Sequence, residues 1–299
     1  MEGDKLIGVL EILDELRDIY KKIHDERRSQ AYSVAAKSLR RQPNIPLEKI
    51  RDLDGIGKGI ADKIVEFVNT GKVKKLEELR KDPIVIAWKV FGGIMNATPE
   101  IWIAAGARTI KDLSRLAALG KIKLTSTQQL GIRYYSDINT RIPRAEVKEI
   151  GEDICVRAAA TGAISSCEIV GSYRRLAKTS GDVDVLISGW NETFLLDFKK
   201  AIVADCIIVS AGKERLTLLY GGKHRQVDIL YVRPDEYYAA LNYFTGPAEH
   251  NIRMRGLAKA RGLRLNQHGL YRDDVRIPLA SESEIYKICG VEYLSPDIR

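Results

Sequence analysis

Closely spaced cysteine pairs and long apolar runs are both missing from this sequence of 299 residues. The four cysteines are scattered and show no Cys-x-x-Cys spacing: Cys155, Cys167, Cys206 and Cys289. Neither a zinc site nor a disulfide framework is therefore expected, and the natural interpretation is reduced thiols in an intracellular protein. No apolar run is long enough to cross a membrane, and the polar, acidic start differs from a signal peptide. These absences argue against the secreted and the membrane-spanning classes.

The sequence also lacks an excess of acidic residues, since it has 48 Lys and Arg against 40 Asp and Glu. The formal net charge is +8 and the sequence pI is about 9.2, which fits a polyanion as partner. The first 26 residues carry 4 Lys and Arg against 8 Asp and Glu, whereas residues 27–89 carry 15 against 8. We therefore expect contacts with a phosphate backbone in the basic segment 27–89.

The first third of the chain is predicted to be helical. Apolar residues at three- and four-residue spacing predict an amphipathic helix over 5–24, and a second helix is expected over 29–40. Gly55-Ile56-Gly57 then places two glycines around one apolar residue, ahead of another helix pattern. This predicts a helix–hairpin–helix, whose turn offers backbone amides to a DNA phosphate without reading base sequence. A dinucleotide-binding fold is the alternative, but no strand precedes the glycines.

A second, poorer hairpin candidate follows at residues 90–95, which include Gly92 and Gly93. Its spacing departs from that of the first hairpin. We expect DNA contact here as well, on weaker grounds.

Three carboxylates are predicted to converge in the second half of the chain. Asp182 and Asp184 stand two apart at the start of an apolar run that reads as a strand, so both side chains point to one face. Asp228 lies in a second apolar run, where an unpaired carboxylate is costly to bury. If the two strands are neighbours, the three acids suit a pair of Mg²⁺ ions roughly 3.5–4 Å apart. The alternative is a solvated acidic turn at a strand edge.

A phosphate-binding segment precedes these acids. Gly171 has no Cβ and Ser172 adds a hydroxyl, so backbone amides there can approach phosphate oxygens closely. Arg174 and Arg175 follow, and guanidinium groups suit forked contacts with phosphate. Together with the three acids, this segment predicts a nucleotidyltransferase.

The ordered motifs resemble those of the family X DNA polymerases, with the polymerase beta-like members as the nearest likeness. The resemblance covers nearly all of the chain, and its motifs are residues 53–64, 70–76, 141–144, 171–184, the Asp228 strand and 243–246. It implies an α+β protein in which a helical lyase domain with a helix–hairpin–helix comes first. A polymerase domain would follow, made of a helical DNA-binding subdomain, a nucleotidyltransferase palm sheet and a mixed α/β closing subdomain. The implied boundaries are 1–78, 79–143, 144–234 and 235–299.

The resemblance also assigns roles to residues. Asp182, Asp184 and Asp228 would hold two Mg²⁺ ions, with Mn²⁺ able to substitute, and the hairpin could hold Na⁺ or K⁺. The nucleotide would contact Ser172, Arg175, Gly181, Tyr243, Phe244, Gly246, Asn251 and Arg255. DNA would contact Arg28, Tyr32, Gly55, Gly57, Lys58, Lys72, Lys75, Gly92 and Gly93. Lys63 would form a Schiff base with a 5′-deoxyribose phosphate and release it by β-elimination, the alternative being a lysine that merely touches phosphate.

The chain departs from the family pattern at four positions. Gln226 and Leu230 flank the third acid where arginines are expected, and Gln267 replaces a glutamate. Ala248 replaces an aspartate that contacts the incoming base in the family. Because the first three groups belong to a closing switch in the family, we expect weaker discrimination against mispairs.

The function implied is a template-directed, gap-filling DNA polymerase of base excision repair that also carries 5′-deoxyribose phosphate lyase activity. Its partners would be gapped or nicked DNA and deoxynucleoside triphosphates, and a monomer is expected. The location would be the nucleus, or a cytoplasmic site if the source is a virus. Two alternatives stay open: a terminal transferase-like enzyme that needs no template, and a non-catalytic protein that binds DNA ends.

Overall fold

The computed structural model describes residues 3–299, with side chains from Lys5 onward. Met1 and Glu2, the first residues of the polar start, lie outside the described part. The chain divides into two compact units, residues 1–128 and 129–299, with the division inside one short helix. No helix in the described part is both long and apolar enough to cross a membrane.

The first unit is built from helices. Their bounds are α1 Gly3–Lys22, α2 Glu26–Arg41, α3 Lys58–Thr70, α4 Lys74–Leu79, α5 Pro83–Gly92, α6 Pro99–Ala104, α7 Ile110–Ala118 and α8 Ser126–Arg133. The two predicted helices are confirmed as α1 and α2. The second begins three residues earlier than expected because the side chain of Asp25 caps it, accepting a hydrogen bond from the backbone N–H of Arg28 at 3.0 Å.

An apolar core holds the front of this unit together. Leu13 and Leu16 of α1 pack with Leu39 of α2 and Ile64 of α3, and all four are fully buried. Burial of each such side chain stabilises the fold by about 1.5–3 kcal/mol relative to an exposed one. The core also includes Ile56, which anchors the turn between the two glycines of the predicted hairpin.

The second unit combines three sheets with helices. Its helices are α9 Tyr135–Asn139, α10 Arg144–Thr161, α11 Gly171–Arg174, α12 Phe194–Ile202, α13 Tyr237–Thr245, α14 Ala248–Lys259 and α15 Glu282–Ile288. Its strands are β1 Ile142–Pro143, β2 Ser166–Ile169, β3 Thr179–Ser180, β4 Val183–Ser188, β5 Cys206–Ala211, β6 Arg215–Tyr220, β7 Arg225–Val232, β8 Leu263–Asn266, β9 Gly269–Arg272 and β10 Val275–Ile277. The fold is therefore α+β, as expected.

The central sheet has five strands in the order β2-β4-β7-β6-β5. Strands β4 and β7 are parallel, and the other pairs are antiparallel. Val183, Val185 and Ile187 point to one face and are buried in a core with α10 and α12. Asp184 points to the opposite face, followed by Leu186, which packs against residues of α13. The period-2 alternation of the strand therefore separates the core side chains from the carboxylate.

A second, smaller core lies in the last sixty residues of this unit. Strands β8, β9 and β10 form an antiparallel sheet in the order β10-β9-β8. Met254 of α14 packs with Leu270 of β9 and with Ile285 and Tyr286 of α15. Strands β1 and β3 form the third, two-stranded sheet.

The expectation of reduced thiols is wrong for two cysteines. Cys155 of α10 and Cys167 of β2 form a disulfide, with their Cα atoms 5.6 Å apart. The helix packs along the strand that follows it, which brings the two sulfurs together although they are 12 positions apart in sequence. The spacing of the cysteines in sequence does not predict this disulfide, because it depends on the packing of α10 against β2. Cys206 and Cys289 are free.

Candidate active site

The three predicted acids meet at one end of the central sheet. Asp184 of β4 lies directly opposite Asp228 of β7 in the parallel register, and Asp182 precedes β4. One carboxylate oxygen from each of the three residues lies within 4.8 Å of the others. The predicted convergence of two strands is therefore confirmed. Three hard oxygen ligands at this spacing suit a divalent cation such as Mg²⁺.

The pKa values of two of these acids are raised. Burial raises the pKa of Asp184 well above its usual value, and the charges of Asp182 and Asp228 raise it further. Burial also raises the pKa of Asp182, as does Asp228, while Arg141 and Arg175 oppose this effect. Several carboxyl groups in a partly buried site repel one another when all are ionised, and a bound cation stabilises their ionised form. The electrostatics and the donor set both fit a metal centre.

Gly171 is required where it stands. Its backbone is left-handed, with φ of 55°, and an added Cβ would lie 1.8 Å from Oδ2 of Asp184. The space that a side chain would fill is thus occupied by one of the three carboxylates. The sequence interpretation assigned this glycine to a phosphate cradle, and the structure gives it a second role in making room for Asp184.

Two hydrogen-bond partners of Asp228 are absent from the sequence-based site. Thr217 of β6 donates from Oγ1 to Oδ1 of Asp228 at 2.6 Å. Gln226 of β7 donates from Nε2 to Oδ2 at 2.7 Å. The sequence singled out Gln226 only as a departure from the family pattern, and it gave no signal for Thr217.

A cavity of about 390 Å³ opens beside Asp182 and Asp184. Among the predicted nucleotide-binding residues, those lining it are Ser172, Arg175, Tyr243, Phe244, Gly246, Asn251 and Arg255. Gly181 and Asp228 are not among the lining residues. Arg215, Thr245, Pro247 and Ala248 also line the cavity, and the sequence had not placed the first three in the site.

Side-chain contacts fix the phosphate segment, α13 and β6 around this cavity. The hydroxyl of Ser172 donates to that of Ser180 at 2.8 Å. The guanidinium of Arg175 donates to the backbone carbonyl of Thr245. Arg215 places its guanidinium 5.7 Å from the ring centre of Phe244. Three guanidinium groups, including that of Arg255, therefore line one small cavity, which suits an anionic ligand.

Asn251 has an unused acceptor in this cavity. Its Nδ2 donates to the backbone carbonyl of Tyr243 at 2.7 Å, which fixes the side chain. Its Oδ1 is buried and has no hydrogen-bond partner among the described residues. Because buried polar atoms are normally satisfied, this oxygen indicates a place for a ligand donor.

The first hairpin forms as predicted. Gly55 has φ of 77°, and an added Cβ would lie 2.3 Å from Cγ1 of Val34, so only glycine fits. Gly57 caps the N-terminus of α3 in extended conformation, and a Cβ there would meet nothing within 4 Å. The space around Gly57 leaves the backbone open to approach by a ligand.

A cavity of about 550 Å³ lies beside this hairpin. The predicted residues that line it are Arg28, Tyr32, Gly55, Gly57, Lys58, Lys63 and Lys75. The ammonium of Lys63 donates to the carbonyl of Gly59 at 2.9 Å, and the rings of Tyr20 and Tyr32 stack with centroids 5.6 Å apart. Four cations therefore share a pocket with one face of an aromatic pair.

Three residues predicted to bind DNA lie elsewhere. Lys72 is exposed and does not line the cavity. Gly92 is the last residue of α5, and Gly93 follows with φ of −82°, so neither adopts the left-handed conformation that glycine favours. That conformation falls instead on Asn96, whose carbonyl accepts a hydrogen bond from Gln128. The turn between α5 and α6 differs from the first hairpin in this respect.

Comparison with known protein families matches four consecutive parts of the chain. A helix-hairpin-helix domain matches residues 8–73, and the fingers domain of DNA polymerase lambda matches 91–139. The DNA polymerase beta palm matches 141–218, and the DNA polymerase beta thumb matches 240–299. The chain belongs to the family X DNA polymerases. The palm and thumb matches include Asp182, Asp184 and the residues that line their cavity, whereas Asp228 lies between the two matched ranges.

Curated relatives in this family align with nearly the whole chain. DNA polymerase lambda from Arabidopsis thaliana is 30% identical over 98% of this chain and 61% of its own length. DNA polymerase lambda from Rattus norvegicus is 29% identical over 97% of this chain and 55% of its own length. The DNA polymerase type-X family protein pol4 of Schizosaccharomyces pombe is 25% identical over 98% and 63%. The chain thus spans about three fifths of the length of these relatives.

Proposed function

We propose that this family X member is a template-directed DNA polymerase that fills short gaps in base excision repair. The convergence of Asp182, Asp184 and Asp228 beside a cavity lined by arginines carries the proposal. Such a site can hold a triphosphate and a metal-bound reactive hydroxyl together. The relatives that align with the chain are themselves named DNA polymerases.

The three aspartates would hold two Mg²⁺ ions, for which Mn²⁺ could substitute. When bound, such ions lower the pKa of an attacking hydroxyl and neutralise charge on the phosphates. The chain's own contribution is positioning. Ser172 and Arg175 would hold the triphosphate, with Gly181 nearby. Arg215, which the sequence did not predict, would add a cation at the same cavity.

The α13–α14 segment would select the nucleotide. Tyr243, Phe244 and Gly246 line the cavity, and we expect this segment to press on the sugar of the nucleotide and exclude ribose. Asn251 would lie on the minor-groove side of the nascent pair. Because that side presents mainly acceptors, the buried Oδ1 would accept a hydrogen bond from a donor such as the amino group of guanine or a sugar hydroxyl. Arg255, one helical turn further along α14, would contact the template.

The hairpin cavity would hold the 5′ side of a gap. We propose that Lys63 attacks the sugar aldehyde of a 5′-deoxyribose phosphate there, and Lys58, Lys75 and Arg28 would bind the phosphate. The neutral amine of Lys63 attacks the aldehyde carbon, and water leaves to give the imine. Loss of a C2′ proton to water then breaks the C3′–O bond and expels the 3′ phosphate with the DNA, and a second water hydrolyses the imine to free the lysine and the unsaturated sugar phosphate. Binding of Na⁺ or K⁺ at the hairpin, a monomeric state and action in the nucleus or at a viral cytoplasmic site belong to this proposal.

Single-nucleotide insertion tests the polymerase. Purified protein with Mg²⁺ is given a one-nucleotide gap with a 5′ phosphate, an open primer–template or a bare single strand. We expect the gap to be preferred and insertion to be abolished in the Asp228→Ala variant. Equal extension of the bare strand would favour a terminal transferase, whereas tight gap binding without any insertion would favour a non-catalytic DNA end-binding protein.

Borohydride trapping tests the lyase. Reduction should link the wild-type protein covalently to DNA carrying a 5′-deoxyribose phosphate, and Lys63→Ala should abolish the link. Lys74→Ala is the matched control, since Lys74 is exposed and does not line the cavity. Equal trapping of the Lys63→Ala variant would refute the assignment while leaving the polymerase proposal intact.

A further inference from the structure

Asp228 is held differently from the other two acids. Asp182 and Asp184 line the open cavity, whereas Asp228 does not. Each of its carboxylate oxygens accepts a hydrogen bond from one neutral side chain, Thr217 on Oδ1 and Gln226 on Oδ2. The distances of 2.6 and 2.7 Å are those of well-formed hydrogen bonds.

The sheet places both donors on the carboxylate face. Thr217 lies directly opposite Asp228 in the antiparallel register of β6 and β7. Gln226 precedes Asp228 by two residues in the same strand, so its side chain points to the same face. On the other side, Asp184 lies opposite Asp228 across the β4–β7 pair. The four side chains therefore follow one face of three adjacent strands.

We propose that Thr217, assisted by Gln226, is a positioning residue for Asp228 as a metal ligand. The inference rests on the proposed nucleotidyl-transfer function of this site. The terminal torsion of an aspartate is broad, so a lone carboxylate can turn its plane without leaving a rotamer well. One donor on each oxygen fixes that plane and still leaves a lone pair on each oxygen for a cation.

Neutral donors preserve the negative charge that attracts the metal ion. A lysine or arginine in hydrogen-bond contact would offset the charge that attracts the metal, whereas a hydroxyl and an amide orient the carboxylate without cancelling it. Thr217 should dominate, because a β-branched side chain in a strand has a restricted χ1 and its hydroxyl is already in place. Gln226 has to fix three torsions to reach the same acceptor.

Replacement of the hydroxyl by a methyl group tests the role. Thr217→Val keeps the shape and removes the donor, while Thr217→Ser keeps the donor and removes the methyl group. Loss of a group that orients a metal ligand typically costs about 10–100-fold in metal affinity or activity. We expect a loss of that size in Mn²⁺ affinity and in kcat for Thr217→Val, with the nucleotide KM little changed, and near wild-type values for Thr217→Ser.

Mn²⁺ binding is measured by the paramagnetic resonance of the free ion on the whole protein without DNA, with Asp228→Asn as the reference variant. Wild-type Mn²⁺ affinity and kcat in Thr217→Val would overturn the inference, as would equal losses in the valine and serine variants. An effect of Thr217→Val on thermal unfolding alone would also overturn it, since it would indicate a structural role. Mn²⁺ binding that is unchanged in Asp228→Asn would instead refute the metal site, and with it the proposed function.

Discussion

Replacement of Gly171 by alanine has two expected effects: strain in a left-handed backbone, and displacement of the Asp184 carboxylate that occupies the space of the missing side chain. At φ of 55° a non-glycine residue costs about 1–2 kcal/mol. Alanine regains a few tenths to 1 kcal/mol because it lowers the entropy of the unfolded chain. The free energy of unfolding should therefore fall by about 1 kcal/mol from the backbone effect alone.

The larger effect concerns the neighbouring carboxylate. A new Cβ would lie 1.8 Å from Oδ2 of Asp184, so the carboxylate has to move by more than 1 Å to reach ordinary contact distance. Misplacement of a reacting group by about 1 Å costs on the order of 10²-fold in rate. We expect Gly171→Ala to lower kcat for gap filling at least 10²-fold, on the scale of that rule.

Gly221 offers a matched control. It has φ of 65°, and an added Cβ there meets nothing within 4 Å. Gly221→Ala should show the same small loss in urea unfolding and keep wild-type gap filling. Equal kcat values for the two variants would refute the argument that the missing Cβ of Gly171 makes room for the carboxylate.

Three further predictions concern the second unit. Burial lowers the pKa of His250 to about 4, so the neutral form is favoured in the folded protein. The contribution of the neutral imidazole to stability is complete above about pH 6.5 and is lost as the pH falls toward 4, at a cost of about 3 kcal/mol. This loss should be absent from urea unfolding curves of His250→Gln. Dithiothreitol should lower the free energy of unfolding by about 3 kcal/mol through the Cys155–Cys167 bond, and the double serine variant should not respond to it. Glu282 is buried and pairs with Arg174 at 3.0 Å and with Arg299 at 2.8 Å, so Glu282→Gln should destabilise the protein by about 3–5 kcal/mol; a loss below 1 kcal/mol would show that the two arginines find other partners.

The parts of the site that the sequence predicted depend on local spacing. Asp182 and Asp184 share a face because side chains in a strand alternate, and the apolar residues between and after them identify that strand. The hairpin could be predicted in the same way, since Gly55 occupies a turn that needs positive φ and α3 begins at Lys58, directly after the turn. In both cases a few neighbouring residues determine the geometry, so their order along the chain is sufficient.

The parts that the sequence missed depend on contacts between distant segments. Thr217 is one of several polar residues in ordinary strands, and its role follows only from the register that sets it opposite Asp228. The register is decided by burial of alternating apolar side chains over the whole sheet, and a shift of one residue would turn the hydroxyl to the other face. The same reasoning applies to Cys155 and Cys167, which meet only because α10 packs on β2. The ligands of a metal site are thus easier to predict from sequence than the residues that orient them. Ligands are recognised by their residue type, whereas an orienting residue is recognised only by its place in the folded sheet.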